Sequence, residues 1–84
     1  MRYVKTLVFT PRAAKEFDAL PTPAQAAVEE GLSRYAIEGR GDVKLLQGLD
    51  GYRLRIGPYR VIFDEDRTTI LTLTISRRQT HTYG

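Results

Sequence analysis

The sequence predicts an α+β domain in which two helices pack on one face of a mainly antiparallel sheet, in the order β-α-α-β-β-β. Three observations favour this class. The segment Tyr3–Phe9 is β-branched and aromatic, two segments with helical spacing follow it, and the chain after Asp42 alternates as strands do. The 84 residues suffice for one domain, and we expect residues 1–84 to form it.

The first helix is predicted between a threonine-proline start and a proline-rich stop. Thr10 is a suitable N-cap, and Pro11 suits the first helical position because that residue needs no N–H partner. Ala14 and Phe17 would share the apolar face. The segment 21–23, Pro-Thr-Pro, ends this helix.

The second helix is predicted from a capping box and an apolar stripe. Thr22 and Gln25 have the spacing of a capping box, with Pro23 at the first helical position. The residues at helical spacing on the stripe are Ala24, Val28, Leu32, Tyr35 and Ala36. Gly39 and Gly41 would end the helix, as C-cap glycines do.

The remaining chain is predicted to be four strand segments joined by glycine- and aspartate-containing turns. These are Lys44–Gln47 (a weak pattern), Tyr52–Ile56, Tyr59–Phe63 and Thr69–Ser76. In the last segment, Leu71, Leu73 and Ile75 alternate with hydroxyl-bearing residues and are expected to face the core.

The same alternation places four arginines on the sheet face that the helices leave open. Arg53 and Arg55 alternate with apolar residues, Arg60 points away from the core, and Arg78 continues the alternation of the last strand. An arginine on a sheet face also discourages edge pairing and keeps a surface soluble, so a purely structural interpretation stays open for each one.

The turn between the two central strands is expected to set two of these arginines against each other. Gly57-Pro58 suits a two-residue type II′ hairpin, which would put Arg55 directly opposite Arg60. Like charges in that position cost about 0.2–1 kcal/mol. A phosphate bound between the two arginines would turn this repulsion into a net attraction, because guanidinium groups bind phosphate through paired hydrogen bonds. The pair therefore predicts a polyanion-binding face.

The C-terminal tail is expected to return to the same end of the sheet. The last strand runs antiparallel to its predecessor, so Arg77, Arg78, His81 and Tyr83 come back toward the hairpin. The distribution of charge along the chain is consistent with a basic surface in the second half. Residues 1–42 are neutral overall, and residues 43–84 carry the whole net charge of +3.

Composition excludes several other kinds of site. The chain has no cysteine and one histidine, which excludes disulfides, thiol catalysis and thiolate metal sites. Asp64, Glu65 and Asp66 are interpreted as a solvated turn because three consecutive acids cannot all face one ion. We therefore expect no metal and no cofactor. The sequence shows no apolar run that could cross a membrane and no signal peptide, so the expected compartment is the cytoplasm.

Taken together, these residues resemble the RelE/ParE superfamily of toxins from type II toxin–antitoxin modules, along essentially the whole chain. The matching pieces are Leu46–Leu49, Tyr52–Arg55, Gly57–Phe63, Ser76–Arg78 and Tyr83. RelE-like members are ribosome-dependent messenger RNA endonucleases, whereas ParE-like members inhibit DNA gyrase without cleaving RNA. The resemblance implies the first activity here, with gyrase inhibition as the alternative, and the arginines together with Tyr83 favour the RelE-like branch.

The resemblance also implies roles for single residues. Arg55 and Arg60 would stabilise the phosphate. Arg78, with Arg77 as the alternative, would act on the leaving-group side. The residues that would bind RNA are Arg53, Arg55 and Lys44. Tyr83 would be the base or a stacking platform, but tyrosine holds its proton at neutral pH unless nearby cations favour phenolate. His81 stays an alternative because imidazole titrates closer to neutrality. The implied partners are a cognate antitoxin, the ribosome and messenger RNA.

Overall fold

A computed structural model describes residues 4–46 and 51–77 of the chain. Its elements are β1 (Thr6–Phe9), α1 (Pro11–Asp18), α2 (Thr22–Glu38), β2 (Asp42–Leu45), β3 (Tyr52–Ile56), β4 (Tyr59–Glu65) and β5 (Thr69–Arg77). The sheet order is β1-β5-β4-β3-β2, with β1 parallel to β5 and every other pair antiparallel. The predicted α+β class is confirmed. The weak strand pattern at 44–47 is a strand that begins two residues earlier, at Asp42, and ends at Leu45. Four strands rather than three therefore follow the helices, in the order β-α-α-β-β-β-β.

Helix α1 begins as its sequence predicts. The Thr10 hydroxyl oxygen accepts a hydrogen bond from the backbone N–H of Ala13 at 3.1 Å, and Pro11 occupies the first turn. Ala13 is the fully buried alanine of this helix, whereas the predicted Ala14 is half-buried. The Phe17 ring packs edge-on against Phe9, with 5.6 Å between ring centroids, and so joins α1 to β1.

Helix α2 has the predicted stripe but not the predicted N-terminal cap. Pro21 is the N-cap and has no side chain that could accept a bond, so the capping box is wrong. The Gln25 amide donates instead to the carbonyl of Phe17 at 3.0 Å, because carbonyls at the end of α1 lack helical partners. At the other end, Gly39 has a φ of 72° and its N–H donates to Tyr35, which confirms the predicted glycine cap.

The core lies between α2 and the central strands. Every member of the predicted stripe is buried except Tyr35, which is half-buried. The buried core cluster consists of Val28, Leu32, Ala36, Leu54, Val61, Phe63, Ile70 and Ile75. Phe63 is flanked by the rings of Tyr35 and Tyr52, at centroid distances of 5.3 and 5.4 Å. Neither helix within the described ranges is long and apolar enough to cross a membrane.

A β-bulge at Leu73 changes which residues of β5 face the core. Ile62 pairs with Thr74 but the next residue, Phe63, pairs with Thr72, so Leu73 is an extra residue in β5. Ile75 is buried as predicted, but the prediction for Leu71 and Leu73 is wrong. Ile70 and Thr72 are fully buried in their place, since the bulge reverses the alternation on its N-terminal side.

Helix α1 protects the edge of β5 beyond the bulge. Strand β1 ends at Phe9, opposite Thr72, and leaves the rest of this edge without a strand partner. One carboxylate oxygen of Glu16 accepts from the backbone N–H of Ile75 at 2.8 Å and from the Thr74 hydroxyl at 2.7 Å. A side chain therefore replaces the missing strand and satisfies the exposed N–H.

A half-buried polar cluster joins Lys5, the residue before β1, to α2 and β4 at the end of the sheet away from the β3–β4 turn. The Glu65 carboxylate accepts from the Lys5 ammonium and from the Tyr35 hydroxyl, each at 2.8 Å. Burial and the adjacent carboxylate raise the pKa of Tyr35 well above its ordinary value of 10.0, so the hydroxyl keeps the proton that it donates.

Thr72→Val should stabilise the protein by about 1 kcal/mol, because the buried Thr72 hydroxyl has no hydrogen-bond partner in the described structure and valine has nearly the same shape. Thr74→Val is the matched control on the same strand. It removes the hydroxyl bonded to Glu16 and should destabilise the protein by about 1 kcal/mol or more. Urea unfolding measures both, and a loss of stability in Thr72→Val would contradict the first expectation.

The contact of Glu16 with β5 should make stability depend on pH. Partial burial acts to raise the pKa of Glu16, but hydrogen bonds from Ile75, Thr74 and Arg12 outweigh it and lower the pKa below 4.5. A lowered folded-state pKa means that the stabilisation is present above pH 4.5 and is lost as the pH falls through the folded-state value.

The measurement is the unfolding free energy of wild type and Glu16→Gln between pH 7 and pH 3. Glutamine keeps an acceptor oxygen for Ile75 but cannot titrate. The advantage of wild type over Glu16→Gln should therefore shrink as the medium becomes acidic, and a constant difference would exclude Glu16 as the titrating group.

Candidate nucleic-acid-binding face

The register of the sheet brings Arg53, Arg55 and Arg60, three of the four predicted arginines, together on the face opposite the helices. Arg55 of β3 lies between Asp42 of β2 and Arg60 of β4, and Ser76 of β5 follows Arg60. Residues in such a row share one face of the sheet, since cross-strand partners point the same way. The predicted juxtaposition of Arg55 and Arg60 is confirmed.

The hairpin between β3 and β4 produces this juxtaposition. Its two turn residues are Gly57 and Pro58, and Ile56 pairs with Tyr59 across them. Gly57 has a φ of 56°, the left-handed region in which a side chain would be strained. A positive φ at the first turn position is what the predicted type II′ turn requires.

A second row of the same face contains another like-charge pair. Lys44 of β2 lies opposite Arg53 of β3, and Ile62 and Thr74 complete the row. Two cation pairs therefore occupy neighbouring rows, Lys44 with Arg53 and Arg55 with Arg60. Like charges directly opposite each other destabilise a sheet, so this surface is not optimised for stability alone. We call these two rows the basic face.

Arg53 is the most buried cation of the basic face. Its side chain is 16% exposed, against 38% for Arg55, and Arg60 is exposed. The Nε and Nη2 atoms of Arg53 are buried, and within the described ranges they have no hydrogen-bond partner. A buried guanidinium N–H without a partner is costly, so an anion that reached these atoms would gain hydrogen bonds that the free protein lacks.

Asp42 is a member of the basic face that the sequence did not indicate. Its Oδ1 lies 3.8 Å from Arg53 Nη2, and its Oδ2 lies 3.8 Å from Arg55 Nε. Both distances are ion-pair contacts and too long for hydrogen bonds. The predicted strand begins at Lys44 and leaves Asp42 out, whereas the observed strand begins at Asp42 and places it opposite Arg55.

The acidic turn at the other end of the sheet has a structural role. One carboxylate oxygen of Asp66 accepts from the backbone N–H groups of Thr68 and Thr69, and these bonds lower the pKa of Asp66. The Glu65 carboxylate accepts hydrogen bonds from the side chains of Lys5 and Tyr35. Within residues 4–46 and 51–77, no group of three acidic or histidine side chains could hold a metal ion.

Solved structures with this arrangement of elements come from toxin–antitoxin systems. The archaeal RelE-RelB complex from Pyrococcus horikoshii has a chain that matches with a TM-score of 0.76 and 24% identity, over 93% of this chain and 99% of that one. A chain of the toxin–antitoxin complex RelBE2 from Mycobacterium tuberculosis matches with a TM-score of 0.72 and 27% identity, over 93% and 95%. The protein has the RelE-like toxin fold.

The isolated RelE toxin of Escherichia coli shares this fold at lower identity. Its TM-score is 0.73 at 19% identity, over 92% of this chain and 87% of that one. No protein-family model and no curated protein matches the sequence significantly. The RelE-like fold is therefore recognised through the three-dimensional structure, in agreement with the resemblance of the sequence.

In this RelE-like fold, the two candidate arginines at the end of β5 have different positions. Arg77 lies opposite Tyr59, which packs against the core, and therefore belongs to the face that the helices cover. Arg78, His81 and Tyr83 lie outside the described residues. The placement of these three near Arg60 stays a prediction.

Arg60→Ala should leave the RelE-like fold intact and raise its stability by up to about 1 kcal/mol, because it removes the charge opposite Arg55 without loss of packing. The carboxylate of Asp42 partly offsets the charge of Arg55, so we expect a gain in stability in the lower part of that range. Thermal or urea unfolding measures the change, and Arg60→Lys, which keeps the charge, should behave as wild type. A clearly less stable Arg60→Ala would make Arg60 a structural residue.

Proposed function

We propose that this protein is the toxin of a type II toxin–antitoxin module and that it cleaves messenger RNA on the ribosome without a metal ion. The observation that carries the proposal is the pair Arg55 and Arg60, directly opposite each other on a solvent-accessible sheet face. A phosphodiester between two guanidinium groups relieves their repulsion and gains charge-assisted hydrogen bonds. The likeness to RelE-like toxin structures supports the same activity.

Cleavage without a metal ion requires the ribose 2′-hydroxyl to attack the adjacent phosphate. The reaction forms a bond from O2′ to phosphorus and breaks the bond from phosphorus to the 5′-oxygen, giving a 2′,3′-cyclic phosphate and a free 5′-hydroxyl. Negative charge accumulates on the phosphorane oxygens, and preorganised N–H donors lower that barrier. Arg55 and Arg60 supply these donors, and Arg53 and Lys44 hold the neighbouring RNA backbone.

Proton transfer falls to the C-terminal tail in this proposal. Arginine stabilises charge but holds its proton at any ordinary pH, so it is a poor base. Tyr83 or His81 would accept the 2′-hydroxyl proton, and Arg78 would act on the leaving 5′-oxygen. These three roles rest on the family resemblance.

A cognate antitoxin is the proposed protein partner. RelE-like neighbours of this chain occur in complexes with antitoxins. An acidic segment that covers the basic face would neutralise its like-charge pairs and block access to RNA at once. The proposed site of action is the cytoplasm, where the ribosomes are.

Arg60→Ala and Arg55→Ala should each abolish growth arrest after induction and reduce ribosome-dependent cleavage by about 100-fold or more, as expected when a donor to the transition state is lost. Primer extension on messenger RNA from induced cells measures the cleavage. Arg67→Ala is the matched control, because Arg67 is an exposed arginine in the turn between β4 and β5 and lies outside the basic face. Full cleavage by Arg60→Ala would refute the nuclease proposal.

A DNA gyrase supercoiling assay with the same purified proteins separates the two branches of the superfamily. A ribosome-dependent nuclease leaves supercoiling unchanged at concentrations that stop translation. Inhibition of supercoiling by wild type, with no cleavage of messenger RNA, would replace the proposed activity by gyrase inhibition.

A further inference from the structure

The carboxylate of Asp42 is the only acidic side chain in the two rows of the basic face, and it lies on one side of Arg55. Arg60 lies on the other side of Arg55, across the β3–β4 pair. The row that contains Arg55 is therefore polarised, with the carboxylate of Asp42 on β2 and the guanidinium of Arg60 on β4, while Lys44 of β2 lies in the other row. A phosphate that approaches Arg55 is repelled from the first side and attracted to the second.

The distances at Asp42 restrain the arginines without occupying them. Each carboxylate oxygen lies 3.8 Å from one guanidinium nitrogen, on Arg53 for one oxygen and on Arg55 for the other. At hydrogen-bond distance a carboxylate would fill the donor sites that a phosphate needs. At 3.8 Å it attracts both side chains without a hydrogen bond, so the half-exposed Arg55 keeps its donors for a ligand and the buried Nε and Nη2 of Arg53 have no partner in the described structure.

The position of Asp42 also offsets repulsion within the basic face. Lys44, Arg53, Arg55 and Arg60 form two like-charge pairs in neighbouring rows. Without an anion near Arg53 and Arg55, these side chains would spread apart and lose a common orientation. One carboxylate between the rows holds two of them together and leaves a net positive charge for the ligand.

We propose that Asp42 is a positioning and specificity-determining residue of this site. It holds Arg53 and Arg55 in orientation, directs the RNA phosphodiester to the Arg55–Arg60 side, and weakens binding of RNA in other positions on the basic face. The inference rests on the proposed function, since it takes RNA as the ligand of that face.

The first test is binding of a short single-stranded RNA to Asp42→Asn, followed by fluorescence anisotropy at several salt concentrations. Removal of the carboxylate should tighten binding about three- to tenfold at low salt, because one repulsive charge near the phosphates is lost. Asp18→Asn is the matched control on the exposed surface of α1 and should bind as wild type. Asp42→Glu keeps the charge and should restore the weaker binding.

The second test is steady-state cleavage on ribosomes by wild type and Asp42→Asn, with equal folding verified by circular dichroism. A positioning role predicts a lower KM together with a lower kcat, since RNA binds more tightly but less productively. A merely structural role would not tighten RNA binding.

Three results would overturn the inference: equal RNA affinity of Asp42→Asn and Asp18→Asn, weaker binding by Asp42→Asn, or tighter binding with undiminished kcat. Failure of the proposed function gives a different pattern. Wild type would then not cleave messenger RNA, while the affinity comparison would still show whether Asp42 limits RNA binding to the basic face.

Discussion

The two-residue turn at Gly57 and Pro58 is the constraint on which both the core and the basic face depend. Because it has only two residues, Ile56 must pair with Tyr59, and every later pair of β3 and β4 follows in register. Side chains alternate between faces with a period of two, so a slip by one residue would exchange the faces. The turn that buries Leu54 opposite Val61 thus also sets Arg55 opposite Arg60.

The two faces of the sheet follow different physical rules. On the helix-covered face, Val61, Phe63 and Ile75 are completely or almost completely buried, and they pack closely against the apolar side chains around them. The opposite face carries two like-charge pairs and one carboxylate at ion-pair distance from two arginines. The first face supplies stability, and the rigid sheet fixes the backbone positions from which the charged side chains of the second face project.

Local rules predicted much of the fold and the cations of the basic face. The Thr10 cap, the Gly39 cap and the central hairpin each depend on residues within a few positions of one another, so their patterns are visible in the sequence. The bulge at Leu73 is different, because it occurs where β1 ends and the Thr10 hydroxyl reaches the Leu73 carbonyl, a contact 63 residues apart in sequence. No local pattern carries that information.

Sequence reasoning missed Asp42 and the role of Gln25 for the same physical reason. Each acts on a neighbouring element, Asp42 across the sheet on Arg53 and Arg55 and Gln25 on the end of α1. The Lys5–Glu65–Tyr35 cluster likewise joins three elements whose order in the chain does not show that they meet. The arginines of the basic face were predicted because strand alternation and a short turn suffice to group them.

The pairing of β1 with β5 determines when the sheet can form during synthesis of the protein. Thr6 pairs with Thr69, so the first strand has no partner until residue 69 has left the ribosome. Strand pairings of such long range form late, because the intervening chain must be ordered first. Helices α1 and α2 can form early, but the edge of β5 to which Glu16 binds does not yet exist. The finished sheet therefore forms only after β5 has left the ribosome.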